Sequence, residues 1–170
     1  DAEKLIELGM RNQVQVDGLG ALRLAEVLCP SDINEIRLRP AGIEDIFCYY
    51  KWANDPEVRK NSVNTHAISW ETHQTWFENK LLDVNSHLFV FEVAGLPVGQ
   101  IRFDREGGEA HIDYSLDSTV RGRGWSLRLI DLGAKMMRQI EPVRLRANVK
   151  AGNEVSAAVF QRMGFIETES

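Results

Sequence analysis

The sequence predicts an α+β domain built on a mixed, mostly antiparallel sheet flanked by helices. Three observations carry that expectation. Three strand-like runs, "HLFVFEVA", "LPVGQIRFD" and "EAHIDYSL", succeed one another with turns at "AGLP" and "REGG", the pattern of an antiparallel meander. Two helical patterns precede the meander. After it, the glycine-rich "RGRG" stands where a strand hands over to a helix.

The elements follow in order. "IRLRP" is a short first strand. In "GIEDIFCYYKWAN", Ile43, Ile46, Phe47 and Tyr50 share one helical face. Pro56 ends that helix, because the residue before a proline avoids helical angles. Ser69 caps a second helix, "WETHQTWFENKLL". The meander comes next, then a helix from about Trp125 to Arg138. "VRLRANV" is expected to be a buried strand, and "NEVSAAVFQRM" a helix stopped by Gly164. "FIETES" is expected to begin a last strand. The expected order is therefore β-α-α-β-β-β-α-β-α-β.

Ahead of this lie "DAEKLIELG" and "ALRLAEVL", amphipathic pieces too short to be stable helices alone. Residues 1–28 are expected to be the tail of a preceding domain, residues 29–35 a linker, and residues 36–170 the domain itself. The chain opens without Met and shows no signal peptide, which fits a fragment of a longer protein.

The 170 residues suffice for one domain with a real core. Apolar residues make up 44% and charged residues 26%, with a net charge of −5. An acidic balance points away from nucleic acid and from anionic membrane. No apolar run approaches the ~18 residues of a membrane span. Cys29 and Cys48 lack metal-ligand spacing and read as reduced thiols of a cytoplasmic protein. No metal is expected, and a homo-oligomer is compatible with the composition.

The passage Arg121-Gly122-Arg123-Gly124 suits an anion. Free amides at a helix start and the helix dipole attract phosphate oxygens, glycine admits close approach, and arginine adds charge-assisted bonds. No Gly-Lys-Ser/Thr follows, so it is not a P-loop, nor does it match the dinucleotide fingerprint. Taken alone, it also fits an ordinary glycine turn with solvated arginines.

Arg121-Gly122-Arg123-Gly124-Trp125-Ser126 resembles the acetyl-CoA loop of the GNAT acyltransferase family, Gln/Arg-x-x-Gly-x-Gly/Ala, with serine at the last position. Asn153, Ser156, Phe160, Gly164 and Phe165 resemble that family's second signature, and the resemblance covers roughly residues 36–170. It implies a GNAT fold with splayed central strands, acetyl-CoA as co-substrate, its pyrophosphate on the loop and its pantetheine arm along "HIDYSL", beside Ser115 and Leu116. Asn153 is then a cofactor contact; as plain sequence it is equally a helix cap. Many family members carry a tyrosine at the position of Phe160, whose hydroxyl protonates the leaving thiolate. Phenylalanine cannot, so another group supplies the proton, the thiolate leaves unaided, or the domain only binds acyl-CoA. Ser156, one turn earlier, is a substitute by position.

On "EAHIDYSL", alternation puts Ile112, Tyr114 and Leu116 on one face and His111, Asp113 and Ser115 on the other. His111 and Asp113 are candidates for accepting the proton of an attacking amine.

"LRPAGIEDIFCYYKWANDPEVRKNS", "ISWETHQTWF" and "VGQIRFD" resemble the branch acting on nucleotide-linked amino sugars in pseudaminic acid biosynthesis. "VDGLGALRLAEVL" looks like the end of that pathway's nucleotide-sugar hydrolase. The implied acceptor is the 4-amino group of a UDP-linked deoxy-amino sugar. Trp52, Asn54, Arg59, His73 and Trp76 are candidate acceptor contacts, since aromatic faces stack on rings and arginine pairs with diphosphate. Packing of the two helices on the sheet is the competing use for the aromatics. Ribosomal-protein N-terminal acetyltransferases share a similar "W-N-D-P-x-V" region, so a protein N-terminus is the alternative acceptor.

Overall fold

In a computed structural model, residues 35–168 are described. The expected tail, all but the last residue of the expected linker, and Cys29 lie outside them. The described strands are β1 (Ile36–Pro40), β2 (Ser86–Val93), β3 (Leu96–Glu106), β4 (Glu109–Leu116) and β5 (Arg144–Ala147). They form one sheet in the order β1-β2-β3-β4-β5. The first four are antiparallel neighbours, and β5 lies parallel to β4. A parallel return needs a crossover, here the helix α4 (Trp125–Ile140).

The sheet is covered on both faces. Leu88 and Val90 of β2 point to a layer made of α1 (Ile46–Ala53) and α3 (Trp70–Leu82), where they pack with Ile46, Tyr49, Trp52 and Phe77. The alternate residues Phe89 and Phe91, with Ile101, Phe103 and Ile112, point to α4 and to α5 (Glu154–Arg162) and bury Leu129, Ile130, Met137 and Phe160. This is the period-two division expected of strands covered on both faces. Gly133 lets α4 press on the sheet: a Cβ there would lie 2.7 Å from Ile101 Cδ1.

Three details differ from the sequence expectation. Pro56 ends α1 but also opens a further helix, α2 (Pro56–Asn61). Asp55 caps it by accepting from the amides of Glu57 and Val58, and proline suits a first helical position because its missing N–H is not needed there. β5 is four residues long and half exposed, not buried, because it is an edge with a single partner. No strand forms over residues 165–168. Phe165 instead packs edge-on against Phe160.

The sheet opens at its C-terminal end. β5 pairs with β4 only from Glu109↔Arg144 to Ile112↔Ala147. Beyond Ile112, β4 runs on for four residues beside β3 alone. The Asp117 amide donates to Val98 on the β3 side, and the Arg144 amide to Gly108 on the β5 side. Two-residue alternation therefore turns the backbone groups of Tyr114 and Leu116 toward the gap that β5 has left. Gly99, opposite Leu116, permits a tight approach here: a Cβ would lie 2.7 Å from the Ser115 carbonyl oxygen.

Candidate active site

The glycine loop sits at the end of this gap. Gly122 and Gly124 have φ of +75° and +77°, angles that favour glycine, and a Cβ at either would meet nothing within 4 Å. Gly124 is the N-cap of α4 and offers no side-chain acceptor to the first-turn amides. A short arc of backbone N–H groups at a helix start, open above, fits a phosphate. Beside it lies an open cavity of about 380 Å³, lined by Gly124, Leu127, Arg128, Asp131, Arg162 and Met163, so two guanidinium groups border it. The backbone and the space fit the diphosphate end of acetyl-CoA, and the two guanidinium groups outweigh the Asp131 carboxylate that shares the lining with them.

The two loop arginines divide their work. Arg123 is exposed. Arg121 turns inward: Nε and Nη2 donate to the Leu116 carbonyl at 3.0 and 2.9 Å, and Nη2 pairs with Asp55 at 2.8 Å. Arg121 thus ties the end of β4 to the cap of α2, and its guanidinium is a brace. Trp125 contributes its amide to the helix start while its ring packs edge-on against Phe91. Ser126 follows it in the first turn.

Across the gap, Asn153 caps α5 by accepting from the Ser156 amide at 3.2 Å. The sequence left that role open beside cofactor contact; in this structure the side-chain oxygen serves as the cap. Phe160 is buried and lies edge-on to Tyr114, with ring centroids 5.7 Å apart. The Tyr114 hydroxyl lies 3.2 Å from Ser156 Oγ.

The opposite face of β4 meets the α1/α3 layer, since Arg102, level with Asp113, lies 5.0 Å over the Trp76 ring. Asp113 is exposed at the first position past the last β5 pair. Its carboxylate accepts from Gln100 Nε2 at 2.9 Å, and the same nitrogen reaches Ser115 Oγ at 3.4 Å. Because a carboxylate can only accept, this bond fixes the Gln100 amide orientation. His111 lies two residues earlier, level with Asp104 and with Arg146 of β5.

Of the candidate acceptor contacts, Trp76 keeps a partly exposed ring. Trp52 is buried, and its Nε1 donates to Asp117 at 3.1 Å. His73 is 1% exposed among Tyr50, Trp70, Trp76 and Phe77, with Nε2 3.2 Å from the Ile46 carbonyl. Burial pushes its pKa down, so it stays neutral. Asn54 is spent on both backbone groups of Ile68. Arg59 donates to the carbonyls of Asn64 and His66 and to Ser62 Oγ, holding the loop after α2. The aromatic surface that does face outward is Phe47, 68% exposed and stacked on Trp70 at 4.7 Å. Sequence periodicity had placed Phe47 on the packed face, and two turns of helix cannot cover both Tyr49 and Phe47.

Two residues that join distant elements carried too little local signal. Asp117 reads as a turn residue, and its bonds to Lys51 and Trp52 span 66 and 65 positions. Tyr114 alternates with core residues and reads as one. Among the described residues no cluster of three metal-ligating side chains exists, and no helix is long and apolar enough to cross a membrane.

The chain's sequence matches the acetyltransferase (GNAT) domain over residues 35–166. No curated protein matches it. Among solved structures it is similar to spermidine N-acetyltransferase from Vibrio cholerae in complex with CoA and spermine. That match has a TM-score of 0.72 and 16% identity, over 79% of this chain and 82% of that one. It is similar to ribosomal-protein-alanine N-acetyltransferase from Brucella melitensis, with a TM-score of 0.67 and 23% identity over 78% and 86% of the two chains. A third similar structure is an aminoglycoside acetyltransferase with coenzyme A, TM-score 0.69 and 15% identity over 79% and 86%. A parted β4–β5 pair, an open glycine arc at a helix start and a family match across the whole described domain converge: the chain belongs to the GNAT family, as an acetyl-CoA-dependent N-acetyltransferase.

Proposed function

We propose that the acceptor is the 4-amino group of a UDP-linked deoxy-amino sugar, used in surface polysaccharide or nonulosonic acid synthesis. The observation that carries this reading is the α1–α3 segment, whose sequence resembles the amino-sugar branch and which presents the exposed Phe47–Trp70 stack. An aromatic face suits a sugar or a base ring. Residues 1–28 resemble the end of a nucleotide-sugar hydrolase, and a fusion would put two consecutive steps on one chain of the cytoplasm. The donor lies with its diphosphate on the amides of Gly122 to Ser126 and its arm along the Tyr114–Leu116 edge that β5 leaves, where Arg121 already occupies the Leu116 carbonyl.

The acceptor panel is a direct test. Thiol release from acetyl-CoA should rise at least tenfold with UDP-linked 4-amino-sugars over peptides bearing a free N-terminus. The reverse preference would assign a protein N-terminal acetyltransferase. No release with any amine, alongside tight CoA binding, would leave an acyl-CoA-binding module.

Asp113 is the group placed to take the amine's proton, directly or through a water, with Gln100 holding its carboxylate. A sugar amine beside electron-withdrawing oxygens is only weakly basic, so the expected contribution is at the low end for a general base. Asp113→Asn should lower kcat/KM by ~10²-fold or less without changing CoA affinity. His111→Ala should stay within about threefold of wild type, because His111 stands where β5 still pairs. Equal and large losses in both would make the two residues a relay. No loss in either would assign the base to substrate or solvent.

A further inference from the structure

The chain has three tyrosines. Tyr49 and Tyr50 lie on α1, on the far side of the sheet, and the Tyr49 hydroxyl is bonded to the Phe89 carbonyl. Tyr114 alone faces α5, and it does so at the first backbone position exposed by the parting of β4 and β5. Its ring rests against Phe160 and its hydroxyl meets Ser156, whose amide is fixed by Asn153.

We infer that Tyr114 hands the proton to the departing thiolate of the acetyl donor, with Ser156 as the positioning residue that orients the phenol and returns the proton. The inference rests on the thioester lying along the Tyr114–Leu116 edge, and not on the identity of the acceptor. In the step, the amine nitrogen bonds to the acetyl carbon and the C–S bond breaks, leaving its electron pair on sulfur. The Tyr114 O–H proton moves to that sulfur. The phenolate is reprotonated through the Ser156 hydroxyl from water, while the amine's surplus proton leaves on the base side of β4. Products are the N-acetyl compound and free thiol, and no further reactant is needed. Burial raises the Tyr114 pKa, against a smaller opposing effect of the Ser156 bond, so the phenol stays protonated through neutral pH. Phe160 forms the wall of this site in place of a second phenol.

The test combines a binding measurement with a rescue. A donor at the sulfur stabilises bound thiolate, so it lowers the thiol pKa of bound CoA. Tyr114→Phe keeps the ring packing and should bind CoA within about threefold of wild type. Its bound thiol, followed by thiolate absorbance, should titrate at higher pH than in wild type, and kcat should fall by ~10–100-fold. Ser156→Ala should show the same two changes at smaller size. Adding Phe160→Tyr to Tyr114→Phe should restore at least tenfold of the lost rate, since it returns a phenol to the same gap. An unchanged thiol titration in Tyr114→Phe overturns the assignment. So does a rate loss that Phe160→Tyr cannot rescue. Wild-type protein that fails to bind CoA would instead remove the donor reading on which the inference stands.

Discussion

Gly124→Val should cost at least 100-fold in CoA affinity, about 3 kcal/mol, while the protein stays folded. Two effects add. The Gly124 backbone is left-handed at φ +77°, a conformation that costs a side-chain-bearing residue roughly 1–2 kcal/mol, more for a β-branched one. The new side chain would also stand in the open space above the amides of α4, where no atom now lies within 4 Å of a Cβ position. Strain alone does not predict lost binding, so a control separates the two. Gly107, in the β3–β4 turn, has φ +55° and equally open surroundings, far from the loop in the fold. Gly107→Val should lower thermal stability as Gly124→Val does, yet leave calorimetric CoA binding within about twofold. If Gly124→Val folds and binds CoA normally, the phosphates lie away from the glycine loop and from the cavity that Gly124 lines.

The loop was legible in the sequence because its cause is local. Positive φ, a helix start and a preceding strand all leave marks within ten residues. The meander was legible for the same reason: period-two alternation and the Gly107-Gly108 turn fix β3 and β4 without reference to anything distant. The acceptor side was legible only as a composition of aromatics and arginines. Which of them face outward depends on how two short helices lie on the sheet, and that is set by contacts such as Leu88 and Val90 against Phe77, between segments far apart in the chain. Hence Trp52 and His73 stood among the candidate acceptor contacts although both are buried, and Phe47 read as packed although it is exposed. Arg121 reads as a phosphate ligand because it stands in a glycine loop at a helix start, and nothing near it announces its partner Asp55.

The same long-range logic makes Asp117 the residue whose loss should cost the fold most among the polar groups of the site. It sits just past β4, and one carboxylate serves four donors. Oδ1 accepts from the Thr119 amide and hydroxyl at 3.1 and 2.8 Å, closing the turn that leads to the glycine loop. Oδ2 accepts from Lys51 Nζ at 2.8 Å and from the buried Trp52 Nε1 at 3.1 Å, anchoring α1. Burial opposes its charge, but the bonds from Lys51, Thr119 and Trp52 outweigh that and hold its pKa at about 2. The unfolded chain has an aspartate pKa of ~3.9, so the lowered folded value contributes between about 2 and 3 kcal/mol. The sign follows from proton uptake: below ~3.9 the unfolded chain binds the proton first. The contribution is complete at neutral pH, shrinks as pH falls through ~4, and is gone below about 2. Asp117→Asn keeps the shape but puts an amide N–H₂ where one acceptor oxygen stood, so either the Trp52 N–H or the Thr119 amide loses its acceptor. Urea denaturation at pH 7 should show a loss of about 3 kcal/mol, or roughly 6–12 °C in Tm for a domain of this size. The gap between wild type and variant should narrow as pH is lowered from about 4 toward 2, because the wild type then loses the charge that the variant never had. A gap that stays constant over that interval would mean that shape, and not the ionised carboxylate, holds α1 to the end of β4.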